Sequence, residues 1–574
     1  MHSRIGAAIR ALSIAGQVLL TPIAARAQVS TDIIRGRVTD LDQAPVQGAA
    51  VKATSYFGRV SKTATTDKGG RFTIIFINGE GDYWIDVRKL GLQPKRFEVK
   101  KVGDEEVMIA DARLSSAIAS LEAMIIREQR TRALPDRSSK EPDVGGGARP
   151  LTDNPVSPDQ EGNLAAMAAA AGFQAVPGLN GAADMYSVLG LSGDQNNVTF
   201  NGLGSGISAL PPDVLATTSI NPYPFDVSRG GFSGAQISIL TSPGSNFSRR
   251  VVTNSSVAPQ LEWADQPAAA QGDRYTSLRL GGNAAGPFRT DEIFYNSAYN
   301  VSRRFKDASS LVDANAAGLT AAGVAPDSVV RLLNMLGAAR VPASGGGLPG
   351  QQAQDAAQGL FNMDLMPSAS GAGHSFTLGL AGDVRRTRPV DVVSSLLATP
   401  GHADETTFWG ANASFVHTNY FWFGVLTKTT IGFAGRGTTS DPYQRLPEGI
   451  VTVASALPDG GTSVRSLSFG GNALSTSTAN RTLQITNQLS WFSLDNAHTL
   501  RLTSSLGHDT FKSDVGRDLL GTFHFNSLSN VAAGAPASYT RTLTSTTQSG
   551  GQLVGALALG DYWRPQPGVQ IQYG

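Results

Sequence analysis

Seven histidines punctuate the chain, at His2, His374, His402, His417, His498, His508 and His524, each isolated in the sequence. No two share a His-x-x-Glu or His-Glu-x-x-His spacing, the arrangement that puts zinc ligands on one helical face, so a zinc peptidase is excluded. The chain has no cysteine, which removes thiolate metal sites and any disulfide framework. The acidic run Asp104-Glu105-Glu106 reads as a solvated turn rather than as paired catalytic carboxylates. Gly202-Leu203-Gly204-Ser205-Gly206 has the glycines of a phosphate-cradling loop. Its third glycine comes one residue early for G-x-G-x-x-G, however, and no helix clearly follows. No catalytic residue, metal or cofactor is therefore expected.

The elements that surround these residues point elsewhere. Over 574 residues, charged side chains make up 16% and the formal net charge is +1. A typical soluble domain has about 25% charged residues. The near-neutral balance gives no reason to expect nucleic acid as a partner. Arg4 and Arg10 precede a mostly apolar run from Ala11 to Ala25, and Ala25-Arg26-Ala27 offers a small-x-small cleavage site. Residues 1–27 therefore read as an export signal, with Gln28 opening the mature protein. No later stretch of about 20 apolar residues exists, so no membrane helix is expected.

Residues 28–114 form the first unit, read as about seven short strands of a β-sandwich. Tyr83, Ile85 and Val87 alternate with Trp84, Asp86 and Arg88, and Gly69-Gly70 can turn the chain before Phe72, Ile74 and Phe76 enter a core. The spacing "GRVTD…APVQGAAV…TDKGGRF" resembles the carboxypeptidase-regulatory-like domain, a transthyretin-like sandwich. The zinc chemistry of carboxypeptidases lies in a separate domain that has no counterpart here.

Residues 115–162 carry Pro, Gly and charge without hydrophobic period beyond Arg130, the composition of a flexible linker. At its head, Leu121-Glu122-Ala123-Met124-Ile125-Ile126 suits recognition by strand addition. This hexamer resembles the TonB box of energy-coupled outer-membrane receptors; the end of a helix or strand is the alternative. Residues 163–248 open with "NLAAMAAAAGFQAVPG", a short helix ended at Gly172. Strand-like stretches follow from Tyr186 to Leu191 and from Asn197 to Phe200. Together "SVLGLSGDQNNVTFNGL" and "FDVSRGGFSGAQISILTSPGSN", with Gly190, Gly202, Arg229, Gly230, Gly231 and Gly234, resemble the plug domain of TonB-dependent receptors. That resemblance implies a glycine-rich turn before the last plug strand, after which the chain enters a barrel wall.

From residue 249 to 574 the pattern becomes strands of about ten residues with period two. Leu483, Ile485, Leu489 and Trp491 alternate with Gln484, Thr486, Gln488 and Ser490; Leu500, Leu502 and Leu506 alternate with Arg501, Thr503 and Ser505. One face suits lipid and the other a wet interior. "NYFWFGVL" (Asn419 to Leu426) reads as an aromatic girdle. Between Lys306 and Gly373 the alternation stops, which reads as a long loop with a short helix started by Pro326 and Asp327 and carrying Val330, Leu333 and Leu336. Arg385 to Arg388 reads as a solvated turn, with lipopolysaccharide phosphate as the alternative contact.

The expected fold is thus mainly β: an N-terminal transthyretin-like sandwich, a small α+β plug, and an incomplete antiparallel transmembrane barrel. Only about a dozen strands can be placed, against about 22 in plugged transporters. The chain ends mid-strand at "PGVQIQYG", so further strands are expected downstream of Gly574. The resemblance implies an outer-membrane receptor or transporter that takes up an unidentified substrate, with a TonB-like inner-membrane protein, outer-membrane lipid and an extracellular substrate as partners. It also places the sandwich in the periplasm of a Gram-negative-type bacterium. A non-transporting surface binding or adhesion protein, its sandwich binding carbohydrate, is the alternative.

Overall fold

The computed structural model describes residues 31–115 (without 78, 80 and 102–106), 149–151, 156, 160–176, 185–187, 191, 195–221, 234–261, 275–307, 310–343, 351–367, 373–390, 397–421, 424–458, 460–493, 497–566 and 569–574. The export signal with Ala25, Ala27 and Gln28, the acidic run at 104–106, and the hexamer Leu121 to Ile126 lie outside these. So do Gly190, Arg229, Gly230 and Gly231. No described helix is long and apolar enough to cross a membrane.

The sandwich contains β1 (Asp32–Thr39), β2 (Ala50–Ser55), β3 (Ser61–Thr65), β4 (Arg71–Phe76), β5 (Asp82–Arg88), β6 (Lys95–Lys100), β7 (Val107–Ile109) and β8 (Ala112–Arg113). One sheet runs β4-β1-β7 with β8 also on β1, and the other β3-β2-β5-β6. The alternation read from β5 is realised, since Tyr83, Ile85 and Val87 are fully buried. The turn before β4 is set by Asp67, whose Oδ1 accepts from the Gly69 and Arg71 amides at 2.8 Å. Gly70 takes φ +72 there, and a Cβ on it would stand 2.4 Å from the Val38 carbonyl oxygen. Glycine alone fits both demands.

The next described strand is β9 (Arg149–Pro150), and α1 (Leu164–Ala170) follows. Asn163 caps this helix by accepting from the Ala165 and Ala166 amides, and Gly172 at φ +93 lies just beyond its end. Next come β10 (Gln174–Val176), β11 (Met185–Ser187), β12 (Asn197–Phe200), β13 (Leu203–Gly204), β14 (Ala216–Asn221) and β15 (Gln236–Thr241). They form a β10-β11 pair and a sheet ordered β13-β12-β15-β14-β9. Leu164, Met167, Phe200, Ile220, Ile237 and Ile239 pack in one core with Leu151. The sheet thus takes in Arg149–Pro150, ahead of residue 163 where the composition changes.

The wall is one antiparallel sheet of eleven strands. It begins with β16 (Arg249–Val257), β17 (Tyr275–Arg289), β18 (Ile293–Asp307) and, after α2 (Ala316–Ala321) and α3 (Pro326–Ala338), β19 (Gln351–Leu365). β20 (Ser375–Val390), β21 (Asp404–Phe421) and β22 (Val425–Pro442) continue it. β23 (Glu448–Ala456) and β24 (Thr462–Gly470) leave the sheet before β25 (Leu474–Phe492) and β26 (His498–Arg517) rejoin it. β27 (Thr522–Phe525), α4 (Leu528–Ala532) and β28 (Ser538–Thr540) leave again, and β29 (Thr546–Gln566) and β30 (Val569–Tyr573) end the chain. Every wall strand pairs with its neighbours in order, and β16 and β30 form the two edges. Leu483, Ile485, Leu500, Leu502 and Leu506 are 39–56% exposed, whereas Ser490, Arg501 and Thr503 are buried on the other face.

Four expectations change here. Residues 351–365 belong to a wall strand, although they fall within the stretch read as a loop. The positions in β19 that share a face with Ala353, Asp355, Ala357 and Gly359 carry no large apolar side chain in that half, so period two is invisible. Arg385 to Arg388 lie within β20 rather than in a turn, and Arg386 Nε donates to Glu405 across to β21 at 2.6 Å. Helix α3 starts at Pro326 as expected, but its buried face is Val329, Leu332 and Leu336, while Val330 is 56% exposed. Tyr420 and Leu426, read as girdle residues, are buried against the sandwich.

The two ends of the wall differ. Short connections join β17 to β18, β19 to β20, β21 to β22 and β25 to β26, and there the sandwich is seated. Ile33 and Ile75 pack with Tyr420, Leu426 and Phe492, and Phe294 and Met366 enter the sandwich's own core. The Ser61 amide donates to Asp291 Oδ1 at 2.6 Å, and Asn246 Nδ2 donates to the Arg59 carbonyl at 2.9 Å. At the opposite end the long connections fold into a cap. Its sheet, β24-β23-β27-β28, shares a core with α3 through Leu332, Leu336, Val451, Val453, Leu467 and Leu528.

One charge in the sandwich is costly. Lys62 is only 9% exposed; its Nζ donates to the Ile75 carbonyl at 2.7 Å, 5.6 Å from the centre of the Phe76 ring. Burial lowers its pKa from 10.5 to about 8. Between those values the unfolded chain holds a proton that the native one lacks, so this group makes stability rise with pH across that window. Below pH 8 the folded ammonium carries the full penalty, on the order of 3 kcal/mol at about 1.4 kcal/mol per pKa unit. Lys62→Met should therefore stabilise the protein most at pH 7, and its advantage should fade towards pH 10.5. Denaturant titrations of both proteins across that range check this, and an advantage independent of pH would contradict it.

Candidate functional site

The side chains on the wall's buried face are largely polar, and the plug meets them with backbone and hydroxyl groups. Asn283 Nδ2 donates to the Asp213 carbonyl at 2.6 Å, and Asn296 Nδ2 to the Leu215 carbonyl at 2.8 Å. Thr253 Oγ1 donates to Asp213 Oδ1 at 3.0 Å. Asn412 works in both senses: its Oδ1 accepts from the Gly206 amide at 2.7 Å and its Nδ2 donates to Ser205 Oγ at 3.0 Å. Ser208 Oγ donates to Asp383 Oδ2 at 2.6 Å, and its amide to Oδ1 at 3.2 Å.

This contact explains the glycine run that has the look of a phosphate loop. Gly202 follows β12 with φ +91, in the turn that pairs β12 with β13. At Gly206 the plug backbone comes against the wall backbone, where a Cβ would lie 2.1 Å from the Gly435 carbonyl oxygen. From the wall side, a Cβ on Gly410 would meet the Gly206 oxygen at 2.6 Å. Gly234, the described residue of the second glycine cluster, leaves room for Asn196 Oδ1, which would be 2.3 Å from its Cβ. The glycines serve close approach of backbones.

Beside this seat lies a cavity of about 200 Å³, bounded by Glu161, Arg279, Asn300, Arg304, Gln358 and Asp383 among others. Arg279 lies near the Tyr275 end of β17 and Arg304 near the Asp307 end of β18, which puts the cavity towards the long connections. Glu161 of the plug and Arg279 of the wall form an ion pair at 2.6 Å. The Arg304 guanidinium lies 4.1 Å from the centre of the Tyr275 ring, a cation–π arrangement. Asn300 Nδ2 donates to Gln358 Oε1 at 3.0 Å, while Asn300 Oδ1 is buried without a hydrogen-bond partner. The cavity therefore offers cations, amides, the Ser208–Asp383 pair and one acceptor, Asn300 Oδ1, without a hydrogen-bond partner.

The histidines are less isolated than their spacing suggests. His374 Nδ1 and His417 Nε2 are 2.9 Å apart, with the rings stacked, because β20 and β21 bring them side by side. His402 Nδ1 donates to the Gly471 carbonyl at 3.0 Å, and His498 Nδ1 bonds Asp561 at 2.7 Å. The pairing of strands and of the turns beside them, which spacing along the chain does not reveal, makes these contacts. Among the described residues no three His, Cys, Asp or Glu groups converge as metal ligands would. Sequence reading missed Glu161, Arg279, Arg304 and Asp383, since each is an ordinary charge in its own strand or turn.

The profile of the carboxypeptidase regulatory-like domain matches residues 33–115, and the N-terminal sandwich carries that domain. No curated protein matches the chain in sequence. Solved structures with a similar arrangement include the outer membrane transporter YddB from Escherichia coli, 11% identical over 66% of this chain and 48% of that one, TM-score 0.42. The siderophore receptor PiuA from Acinetobacter baumannii is 9% identical over 69% of this chain and 58% of that one, TM-score 0.38. The 3-chlorocatechol 1,2-dioxygenase from Rhodococcus opacus 1CP is 15% identical over 17% of this chain and 63% of that one, TM-score 0.14. This chain spans about half the length of YddB.

Gly206 and Gly204 make a matched pair for testing the seat. Gly206→Val should force plug and wall apart, with a loss of about 1–3 kcal/mol as in other overpacked contacts. Gly204→Ala should be tolerated, because its Cβ meets nothing within 4 Å. Melting of the two variants in detergent checks the contrast; equal melting would remove the close approach as the reason for the glycine.

Proposed function

We propose that the chain is an outer-membrane receptor that takes up a substrate by energy-coupled rearrangement of its plug. The observation that carries this reading is the placement of the polar cavity. It lies between plug and wall, towards the long connections, while the sandwich occupies the end with short turns. Outer-membrane barrels carry their long loops outside and their short turns in the periplasm. On that rule the cavity faces the exterior and the sandwich the periplasm, which disfavours the sandwich as an outward carbohydrate-binding module. The exposed apolar face of the wall then meets lipid, which accepts no unpaired backbone group between its strands.

The domain assignment follows: signal 1–27, sandwich 28–114, coupling hexamer and linker 115–162, plug 163–248 with the strand at 149–150 joined to it, and wall 249–574. Leu121 to Ile126 is the segment that a TonB-like inner-membrane protein would pair with, and Arg149–Pro150 at the sheet edge is where a pull would enter the plug. Energy arrives through that partner, so no nucleotide is required.

Ile125→Pro should abolish strand pairing with the partner, because proline lacks the amide donor. Screening a deletion strain for growth on candidate nutrients identifies the solute to label. Uptake should then stop in the proline variant and after a protonophore, while binding to whole cells persists. Undiminished uptake in the variant would overturn the hexamer assignment, and binding without any uptake in the parent would favour an adhesion role. Separately, N-terminal sequencing of envelope-purified protein should read from Gln28; a retained Met1 would overturn the export signal.

A further inference from the structure

We propose that the cavity takes an anionic solute and that its carboxylate or phosphate group releases the plug by displacing Glu161 from Arg279. This inference rests on the receptor reading above and names the ligand class for the same site. Five ionisable groups line the cavity: Arg279, Arg304 and Arg385 against Glu161 and Asp383. Asp383 is occupied by Ser208, which approaches it with both hydroxyl and amide. Glu161 is the plug's own anion, set on a wall arginine at 2.6 Å. The two partners are unequally held: the Glu161 side chain is 39% exposed and that of Arg279 14%. The arginine is fixed on a wall strand, so the acid is the member that an incoming anion replaces.

Release of Glu161 would not stay local. Gly162 takes φ +83, and a Cβ there would lie 2.0 Å from the Leu210 carbonyl oxygen. The Leu210 amide donates to the Gly162 carbonyl at 2.9 Å, and the Leu164 amide to the Ser208 carbonyl at 3.2 Å. Residues 161–164 and 208–210 are therefore one clamped piece of the plug. That piece carries two of its ties to the wall, Glu161 to Arg279 and Ser208 to Asp383. An anion that takes the first tie loads the second, next to the cap of α1. The buried Asn300 Oδ1 also asks for a donor, so hydroxyl or amide groups beside the acid are expected on the ligand.

The full chain in detergent micelles allows a direct test with citrate and inorganic phosphate as anionic probes and sorbitol as a neutral one. Calorimetry should detect at least one anion and not sorbitol, and the stronger of the two distinguishes a carboxylate from a phosphate ligand. Glu161→Gln removes the internal competitor and should bind that anion about tenfold more tightly. Arg279→Gln should lose at least tenfold, whereas Arg279→Lys, which keeps the charge, should stay within about threefold of the parent. Hydrogen exchange of the amides at 160–164 and 206–210 should rise with the anion in the parent and be raised without it in Glu161→Gln. Sorbitol binding in place of the anions, unchanged affinity in Arg279→Gln at parental melting temperature, or no gain in Glu161→Gln would overturn the proposal. Anion binding intact in cells that show no protonophore-sensitive uptake would instead overturn the transport reading and leave the displacement standing.

Discussion

A polar side chain taken out of water needs a partner, and most of this structure follows from that need. Most wall strands alternate with period two, which puts many of their apolar residues on the exposed face and Asn, Ser, Thr and Asp residues on the buried one. Asn283, Asn296 and Asn412 are each at most 6% exposed, and each donates an amide hydrogen to the plug. Leaving such a group unsatisfied costs about 1–3 kcal/mol. A plug of matching polarity is therefore a condition for burying that face. The plug meets the condition with backbone carbonyls and the hydroxyls of Ser205 and Ser208, and glycine at 206 lets its main chain come close enough.

The two ends of the wall use different chemistry. At the short-turn end, Tyr420, Leu426 and Phe492 meet Ile33 and Ile75 of the sandwich, an apolar joint. At the other end the cap has its own hydrophobic core, to which separate connections bring Leu332, Val451 with Leu467, and Leu528. The plug lies between, joined to the wall through hydrogen bonds and the Glu161–Arg279 pair, with Leu360 and Ala381 of the wall entering the plug's core. Apolar contact fixes the outer units, and polar contact forms much of the seat of the element that the proposed function requires to move.

Much of this was legible in the sequence, and the limits have physical causes. The sandwich was readable because residues such as Tyr83, Ile85 and Val87 alternate strictly and Gly70 marks a turn of fixed geometry. The helix at 164–170 was readable from its asparagine cap and its glycine stop. β19 was not, because small or charged residues at Ala353, Asp355, Ala357 and Gly359 erase the period. In α3 the buried set is shifted by one residue at Val329 and Leu332, since helical spacing fits either face until the cap's core selects one. The cap itself is a product of distant connections meeting, as are the His374–His417 pair and the cavity. Single-strand patterns carry no information about register across the sheet, and the candidate site depends on that register.

The seat of the plug has a mechanical consequence. Asn283 and Asn296 each donate to the plug yet leave Oδ1 without a protein partner. Such oxygens are free to accept from water when the joint opens, and a hydrogen bond traded for one to water changes stability by only about 0.5–1.5 kcal/mol. Breaking the ties one at a time, with water entering behind each, presents a series of small barriers rather than one large one. An apolar seat of equal area would resist as a single adhesive patch until it failed at once. On the proposed function, such a joint would act as a wetted bearing, giving way to a sustained small force while the wall around it kept its shape.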